Sequence, residues 1–522
     1  MPRVARCTLV RLDVPYEQAR AAVRRILDDA PRDDHAVVVT IDIALHDNGS
    51  TTDAEISATA TTEIPFFGWF FVPLVVLARR RAQQHAAAAL TAAAAGNTPP
   101  PQPSPVFGLP PVAFTHEQAT LLATAAAATA VVAFAGALFG QLSGPISDSF
   151  HLSDTALTVA LALTRVGALL ALVPTALADR RGRRTSIMLG VLGSAFACAI
   201  SAIAPGIAFF TVAQALQRGL LITTATVAAI AVVEEAPEGA RAYSTSMLAL
   251  AGGLGFSLAV VVLPFADLGA NGWRIPFALG AATIFLARPI AKRLRETVRY
   301  EAVARRKDIA RGRLREIVDK RYGRRFIVLA AAAFLTNIFA APSSQLMNKY
   351  LEDVRNFSST GIAVFRGVTT AVPGLIGLVL GGRLAEQRGR KPVAVIGLAI
   401  ATITQMIFFT FGGPIIWVMA ATSILAAGAG GIALGTLDAE LFATEVRSTS
   451  NALITTISVF GSGAGFLAAG LLAEPLGNLG RSIALTGLPA LAAALILVPL
   501  LPESAARNLD DVSPTEEYGP DP

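Results

Sequence analysis

The first 64 residues and the rest of the chain follow different hydrophobic patterns. Near the start, Val14 to Asp28 repeats with helical character, and Ile41, Ile43 and Leu45 alternate with Thr40, Asp42 and His46. Strict alternation places every second side chain on one face, so it predicts a half-buried strand. Asp47-Asn48-Gly49-Ser50 predicts a hairpin turn, because Asn-Gly tolerates the positive φ angles such turns need. Glu55, Ser57, Thr59 and Thr61 then alternate with Ile56, Ala58 and Ala60, a second strand of a small α+β unit. Phe66 to Ala78 is apolar but too short to span a bilayer, which takes ~20 residues, and Arg79-Arg80-Arg81 follows at once. Two placements stand open for it: an interfacial helix with its basic end at lipid headgroups, or the core helix of the small domain. Thr98 to Pro111, rich in Pro, reads as a linker.

From residue 117 the pattern changes to long apolar runs, at roughly 118–142, 156–178, 185–204, 206–232, 243–265, 274–291, 326–346, 360–383, 392–411, 414–437, 449–472 and 481–501. Each has about the ~17–25 residues that a membrane-crossing helix needs. The expected organisation is a cytosolic α+β domain over 1–96, a linker over 97–116 and a six-helix bundle over 117–291. A basic loop over 292–325, a second bundle over 326–501 and a tail over 502–522 complete it. The fold class is thus an all-α polytopic membrane protein of twelve helices with a small α+β appendage.

Composition supports this reading. Apolar residues make up 53% of the 522 residues and charged residues 15%, against about 25% charged in soluble proteins. The chain cannot cover an ordinary water-facing surface, which excludes a typical cytosolic enzyme. Its two cysteines, Cys7 and Cys198, form no CxxC site, and no Cys/His cluster suggests a metal. There is no Walker loop, no Gly-x-Gly-x-x-Gly after a strand and no GxSxG, so neither a cofactor nor ATP-driven pumping is expected.

The net charge of +6 sits in loops between spans: Asp179 to Arg184, residues 291–325 with 14 Lys/Arg against 5 Asp/Glu, and Arg388 to Lys391. Basic runs can bind nucleic acid, but between apolar spans they follow the positive-inside rule. Nucleic acid is therefore not an expected partner. The clusters follow spans two, six and eight, and an even span count puts both termini on that cytoplasmic side of the cell membrane.

The two halves repeat. Asp179 and Glu386 lie 207 positions apart, as do Arg274 and Arg481, and Glu296 and Glu503; Glu234 and Glu440, and Arg241 and Arg447, lie 206 apart. Several charges sharing one offset at span ends imply a duplicated six-helix unit.

These motifs resemble the major facilitator superfamily over residues 117–503. The loop after span two, Thr175-Ala176-Leu177-Ala178-Asp179-Arg180-Arg181-Gly182-Arg183-Arg184, is similar to the family pattern, with Thr175 in place of a leading Gly. Its second copy runs from Gly382 to Lys391 with Glu386 for the Asp. Gly272 to Phe277, Glu440 to Arg447 and Leu501 to Ser504 resemble the sugar-porter and metabolite–proton symporter branches. The resemblance implies a transporter, not an enzyme, that works as a monomer among membrane lipids. It would move a small organic solute by alternating access, with protons or another ion as candidate coupling partners. A drug or metabolite efflux antiporter and a membrane sensor using the N-terminal domain are the alternatives. Span five carries Gly252-Gly253-Leu254-Gly255 rather than the Gly-Pro element of drug–proton antiporters. Asp179, Arg183, Glu386, Arg390, Glu234, Arg241, Glu440 and Arg447 are the candidate gating charges; the plainer alternative is that they anchor helix ends.

At membrane depth the unusual residues are Arg165 and Arg218. Arg165 precedes Asp179 by 14 residues, ~21 Å along a helix. Many relatives carry an Arg in span four at the position of Gln214, one turn before Arg218. Arg165, Arg218, Gln141 and Gln214 are the candidate solute contacts. No Asp or Glu lies inside any span, and Phe134-Ala135-Gly136 stands where related branches often have a carboxylate. Up to two unpaired cations at that depth predict an anionic, carboxylate-bearing solute; bonding to helix carbonyls, Gln141 or Gln217 is the alternative.

Overall fold

The computed structural model describes residues 4–27, 37–62, 64–98, 100–101, 112, 114–170, 182–237, 240–296, 323–441 and 444–503. Most of the expected linker and basic loop, and the tail beyond 503, lie outside these residues.

The small domain runs β1 (Val4–Leu12), α1 (Tyr16–Leu27), β2 (Val37–Asp47), β3 (Thr52–Thr62) and α2 (Gly68–Ala94). The strands form an antiparallel sheet in the order β1-β3-β2. The hairpin between β2 and β3 turns at Gly49, whose φ of 83° is the positive angle expected there. β1 was not anticipated: Val4, Cys7, Leu9, Val10 and Leu12 keep no single alternation, and Leu9 is 67% exposed while Leu12 is buried.

The apolar stretch after the sheet does not stop at Ala78. Arg79 to Arg81 and the alanines beyond are strong helix formers, so α2 extends to 27 residues. Its second half is the core helix of the domain: Ala86, Leu90 and Ala94 pack with Ile56, Ala54 and Leu12, and Gln83 donates to the Ile56 carbonyl at 3.0 Å. Its first turn exposes Trp69 and Phe70. Arg79 is buried in the fold rather than reaching outward. Just before α2, Phe66 and Phe67 pack against the first-bundle core that contains Ile187 and Ile290, and the Arg293 guanidinium lies 5.5 Å from the Phe66 ring.

Among the described residues, eleven helices are long and apolar enough to cross a bilayer, and a bent helix pair brings the number to twelve. They are span one (His116–Gln141), span two within the bent pair Ser143–Ser149 and Asp154–Leu170, three (Arg183–Ala202), four (Ile207–Glu235), five (Tyr243–Asp267) and six (Arg274–Arg293). The second half supplies seven (Gly323–Gln345), eight (Ser359–Ala385), nine (Arg390–Thr410), ten (Ile415–Gly435), eleven (Leu453–Leu476) and twelve (Leu479–Leu500). Residues 171–178 of the expected second run lie outside the described residues. The loops before spans three and nine, and the ends of six and twelve, share one side, here called the basic end.

Small residues set the closest approaches. In span five only Gly255 of the glycine run is seated tightly, against the Ala130 carbonyl of span one, where a Cβ has no room; Gly253 faces open space. Gly461 and Gly465 seat span eleven on span seven in the same way.

The second span of each half is irregular. Helix Asp154–Thr164 tightens at Arg165, whose N–H reaches Ala162 rather than continuing the regular ladder, and resumes at Gly167. Helix Ser359–Arg366 gives way directly to a wide turn over Gly367–Ala371 before helix Val372–Arg388. Such turns inside helices concentrate at functional positions.

Candidate functional site

Three groups of polar residues occupy the bundle: one at membrane depth, one at each end.

At membrane depth, spans one, two and four bring Arg165, Arg218, Gln214 and Gln217 around a cavity of about 20 Å³ that Gly136, Gly140 and Gln345 also line. That is room for about one water. Arg165 is buried, and its Nε and Nη2 have no hydrogen-bond partner; the Nε of Arg218 has none either. Among the described residues neither arginine pairs with a carboxylate. Arg165 instead lies 4.9 Å from the centre of the Phe466 ring in span eleven. Gln214 donates to Ser201 Oγ at 2.8 Å. Gln217 donates to the Val132 carbonyl at 3.3 Å, while its own Oε1 is buried without a partner.

Gln141 is not in this group. It sits at the far end of span one, buried, where Asn348 Nδ2 donates to its carbonyl at 2.6 Å and to its Oε1 at 2.9 Å. Asn348 in turn accepts from Arg366 Nη1 at 2.9 Å. Arg366, in span eight, is a further buried arginine that sequence reasoning passed over. Its place inside the run at 360–383 was the available signal.

The end opposite the basic loops carries the polar contacts between halves. Ser143 donates to the Gln345 carbonyl at 3.3 Å, and Thr155 to the Gly470 carbonyl at 3.1 Å. Asp267 caps the start of span eight through the N–H groups of Ser359 and Thr360 at 3.3 and 3.2 Å. Lys349 pairs with Asp353 at 2.6 Å and across the seam with Asp154 at 3.5 Å. Burial alone would pull the Lys349 ammonium down, but its bond to Asp353 and the charges of Asp353, Asp154 and Asp148 outweigh it and hold it above its ordinary value. Beside it, Glu352 packs its carboxylate onto Gly144 of the first half, leaving no room for a Cβ there. Burial first, then the charges of Asp148, Asp353 and Asp267, push Glu352 up to about 7 against the opposing pull of Lys349.

At the basic end, Arg183 pairs with Glu234 at 3.2 Å. Arg241 begins the helix that carries span five, two residues before the span, with its side chain exposed. Asp179 lies outside the described residues, as do the side chains of Glu386, Glu440 and Arg447. Two carboxylates that sequence reasoning treated only as repeat markers act here. Glu296 accepts from the N–H of Arg183 at 2.7 Å and of Arg184 at 3.3 Å. Glu503 accepts from the N–H of Arg390 and of Lys391, both at 3.0 Å. Each carboxylate meets the exposed N–H groups and positive dipole end of a helix. Gly182 and Gly389 precede those helices with φ of 98° and 97°, and each carboxylate fills the space a Cβ would need.

The profile of the Major Facilitator Superfamily matches residues 122–434. The chain is 28% identical to the alpha-ketoglutarate permease of Escherichia coli (strain K12) over 330 residues, 56% of this chain and 72% of that one. Its fold resembles a bacterial homolog of the human lysosomal transporter Spinster, inward-facing, with TM-score 0.61 at 17% identity, over 73% of this chain and 96% of that one. It equally resembles the inward-open xylose transporter XylE of E. coli, with TM-score 0.61 at 16% identity, over 76% of this chain and 99% of that one.

Proposed function

The chain belongs to the Major Facilitator Superfamily, multi-pass membrane transporters of small solutes, and on that premise we propose that its solute bears a carboxylate held by Arg165 and Arg218. One observation carries the reading: both arginines line one cavity at membrane depth, and no described carboxylate neutralises either. An unpaired cation there costs at least ~2.5 kcal/mol on insertion scales. A carboxylate offsets that cost and takes two parallel hydrogen bonds from one guanidinium, which orients it. The named solute of the E. coli relative, α-ketoglutarate, favours the same class.

The cycle is alternating access, with the two halves rocking about the arginines. The charges at span ends, Asp179, Arg183, Glu234 and Arg241 with Glu386, Arg390, Glu440 and Arg447, gate the basic end. That end faces the cytoplasm of a cell-membrane protein, because the cations of its loops follow the positive-inside rule. A proton is the coupling ion we favour, entering through titratable groups outside the spans.

Competition for uptake into vesicles tests the solute class. Carboxylates should compete, and neutral sugars and organic cations should not. Arg218→Lys keeps the charge but loses the fork and should weaken binding; Arg218→Gln should weaken it further, by roughly 10- to 100-fold. A neutral or cationic solute that competes best overturns the reading. Asp179→Asn and Glu386→Gln should cut transport more than they cut folded protein; normal transport at normal expression refutes the gate.

A further inference from the structure

We propose that Arg366 is the solute contact of the second half, and that the solute therefore carries two anionic groups, one toward each half. This rests on the carboxylate reading above and narrows it to dicarboxylates.

Arg366 lies seven residues into span eight, about 10 Å from its start. It is 5% exposed. Its Nη1 reaches the Asn348 side chain at 2.9 Å and the Ser344 carbonyl at 3.5 Å, both neutral. Its Nε is buried without a partner, its Nη2 donates to no described group, and no described carboxylate pairs with it. Asn348 is fixed by Gln141, so the guanidinium is positioned but not neutralised.

The placement mirrors Arg165. Each arginine lies in the second span of its half, at a break in helix regularity. Each rests against a phenylalanine in the fifth span of the other half: Arg165 by Phe466 at 4.9 Å, Arg366 by Phe256 at 5.7 Å. The two are not repeat-related, since they lie 201 positions apart against the repeat offset of 207. The six-residue difference staggers them by about 9 Å along the helices. Span seven joins the two surroundings: Ser344 accepts from Arg366, and the next residue, Gln345, lines the cavity of Arg165 and Arg218. One carboxylate leaves the far cation unanswered. A short chain with a carboxylate at each end answers both and ties the halves together.

The test uses the full-length protein reconstituted in proteoliposomes and two five-carbon probes, glutarate and valerate, which differ by one carboxylate. The wild type should bind glutarate at least ~10-fold more tightly than valerate, the size of one charged hydrogen bond or more. Arg366→Gln should collapse that ratio to within about 2-fold, while Arg218→Gln should weaken both probes. Arg366→Lys, which keeps the charge for folding, should leave an intermediate ratio. Equal binding of the two probes by the wild type overturns this proposal alone. So does a preference that survives Arg366→Gln. Failure of both probes to bind the wild type overturns the carboxylate reading and this proposal with it.

Discussion

The two halves agree at the basic end and diverge inside the membrane. At the basic end the capping contacts match. Glu296 and Glu503 cap spans three and nine through the same pair of N–H groups. Arg184 reaches the Ala291 carbonyl, and Lys391 the Pro499 carbonyl, at 3.1 and 3.3 Å. At membrane depth the match is lost. The position 207 residues beyond Arg165 holds Val372, which is 63% exposed, and the position 206 beyond Arg218, the offset of Glu234 and Glu440 in the same helices, holds Ile424. The outer pair Lys349 and Glu352 answers to Leu142 and Pro145. The duplicated unit kept the carboxylate caps at the basic end and changed the polar residues inside the spans.

The largest expected effect tests the divergence. Arg165→Gln and Arg218→Gln should each lower the apparent affinity for an anionic solute by roughly 10- to 100-fold. At the aligned positions, Val372→Ala and Ile424→Ala should change it less than about 2-fold, because neither side chain carries charge. Vesicle uptake kinetics measure all four. A comparable loss at Val372 or Ile424 would mean that the cavity is shared equally and the divergence has no functional content.

Next in size is the agreement itself. Gly182→Ala and Gly389→Ala force a Cβ onto a left-handed backbone and into a carboxylate. Each should cost ~1–3 kcal/mol, read as lost thermal stability in detergent, and by similar amounts. A much smaller loss at one glycine than at the other would break the match between the ends.

These comparisons also show where sequence reasoning reached and where it ended. The twelve spans and the duplicated charges were legible because bilayer thickness and the bias of loop cations act on short stretches of chain. The capping by Glu296 and Glu503 joins residues 113 positions apart; the repeat marked those positions without saying what they touch. Gln141 and Arg165 look alike as polar residues in apolar runs, yet one is seated in the seam between halves and the other in the cavity. Only the packing around each separates them: spans one, two and four around Arg165, Asn348 and span eight around Gln141. The length of α2 was missed for a different reason: an arginine triplet reads as a boundary, although arginine favours helix and here it continues into an alanine-rich helical stretch.

A smaller effect belongs to the outer seam. Glu352 titrates near 7 while the halves are closed there, and parting them would return it toward the ordinary ~4.3 of a hydrated glutamate. The closed form therefore binds the proton more tightly. Its advantage is full below the ordinary range, falls as pH rises between there and about 7, and is gone above that. Lys349, already held above its ordinary value, keeps its charge through this window and adds no slope. Labelling of a cysteine placed at Ser149 should rise from pH 5 to pH 8. Glu352→Gln should flatten the profile near its low-pH level. An unchanged slope in Glu352→Gln would assign the pH dependence elsewhere.

The smallest effect corrects the repeat rather than confirming it. Arg274 and Arg481 share the 207 offset, and on sequence they are counterparts. Arg274 donates to the carbonyls of Ala202 and Ala204 at 2.7 and 3.1 Å, closing the C-terminal end of span three. Arg481 is exposed, and the corresponding carbonyl at the end of span nine, Phe411, is taken by Arg355 instead. Arg355 comes from the loop between spans seven and eight and also donates to Tyr350 Oη at 2.8 Å. So the carbonyl is satisfied in both halves, by different arginines. Arg274→Ala should cost about 1–2 kcal/mol, two partly solvated charged hydrogen bonds, and Arg355→Ala a similar amount. Arg481→Ala should stay within about 0.5 kcal/mol, as exposed positions without a partner do. Detergent thermal melts of the three variants decide it. If Arg481→Ala matches Arg274→Ala instead, the repeat extends to function at this end, and the agreement between the halves reaches further than their hydrogen bonds indicate.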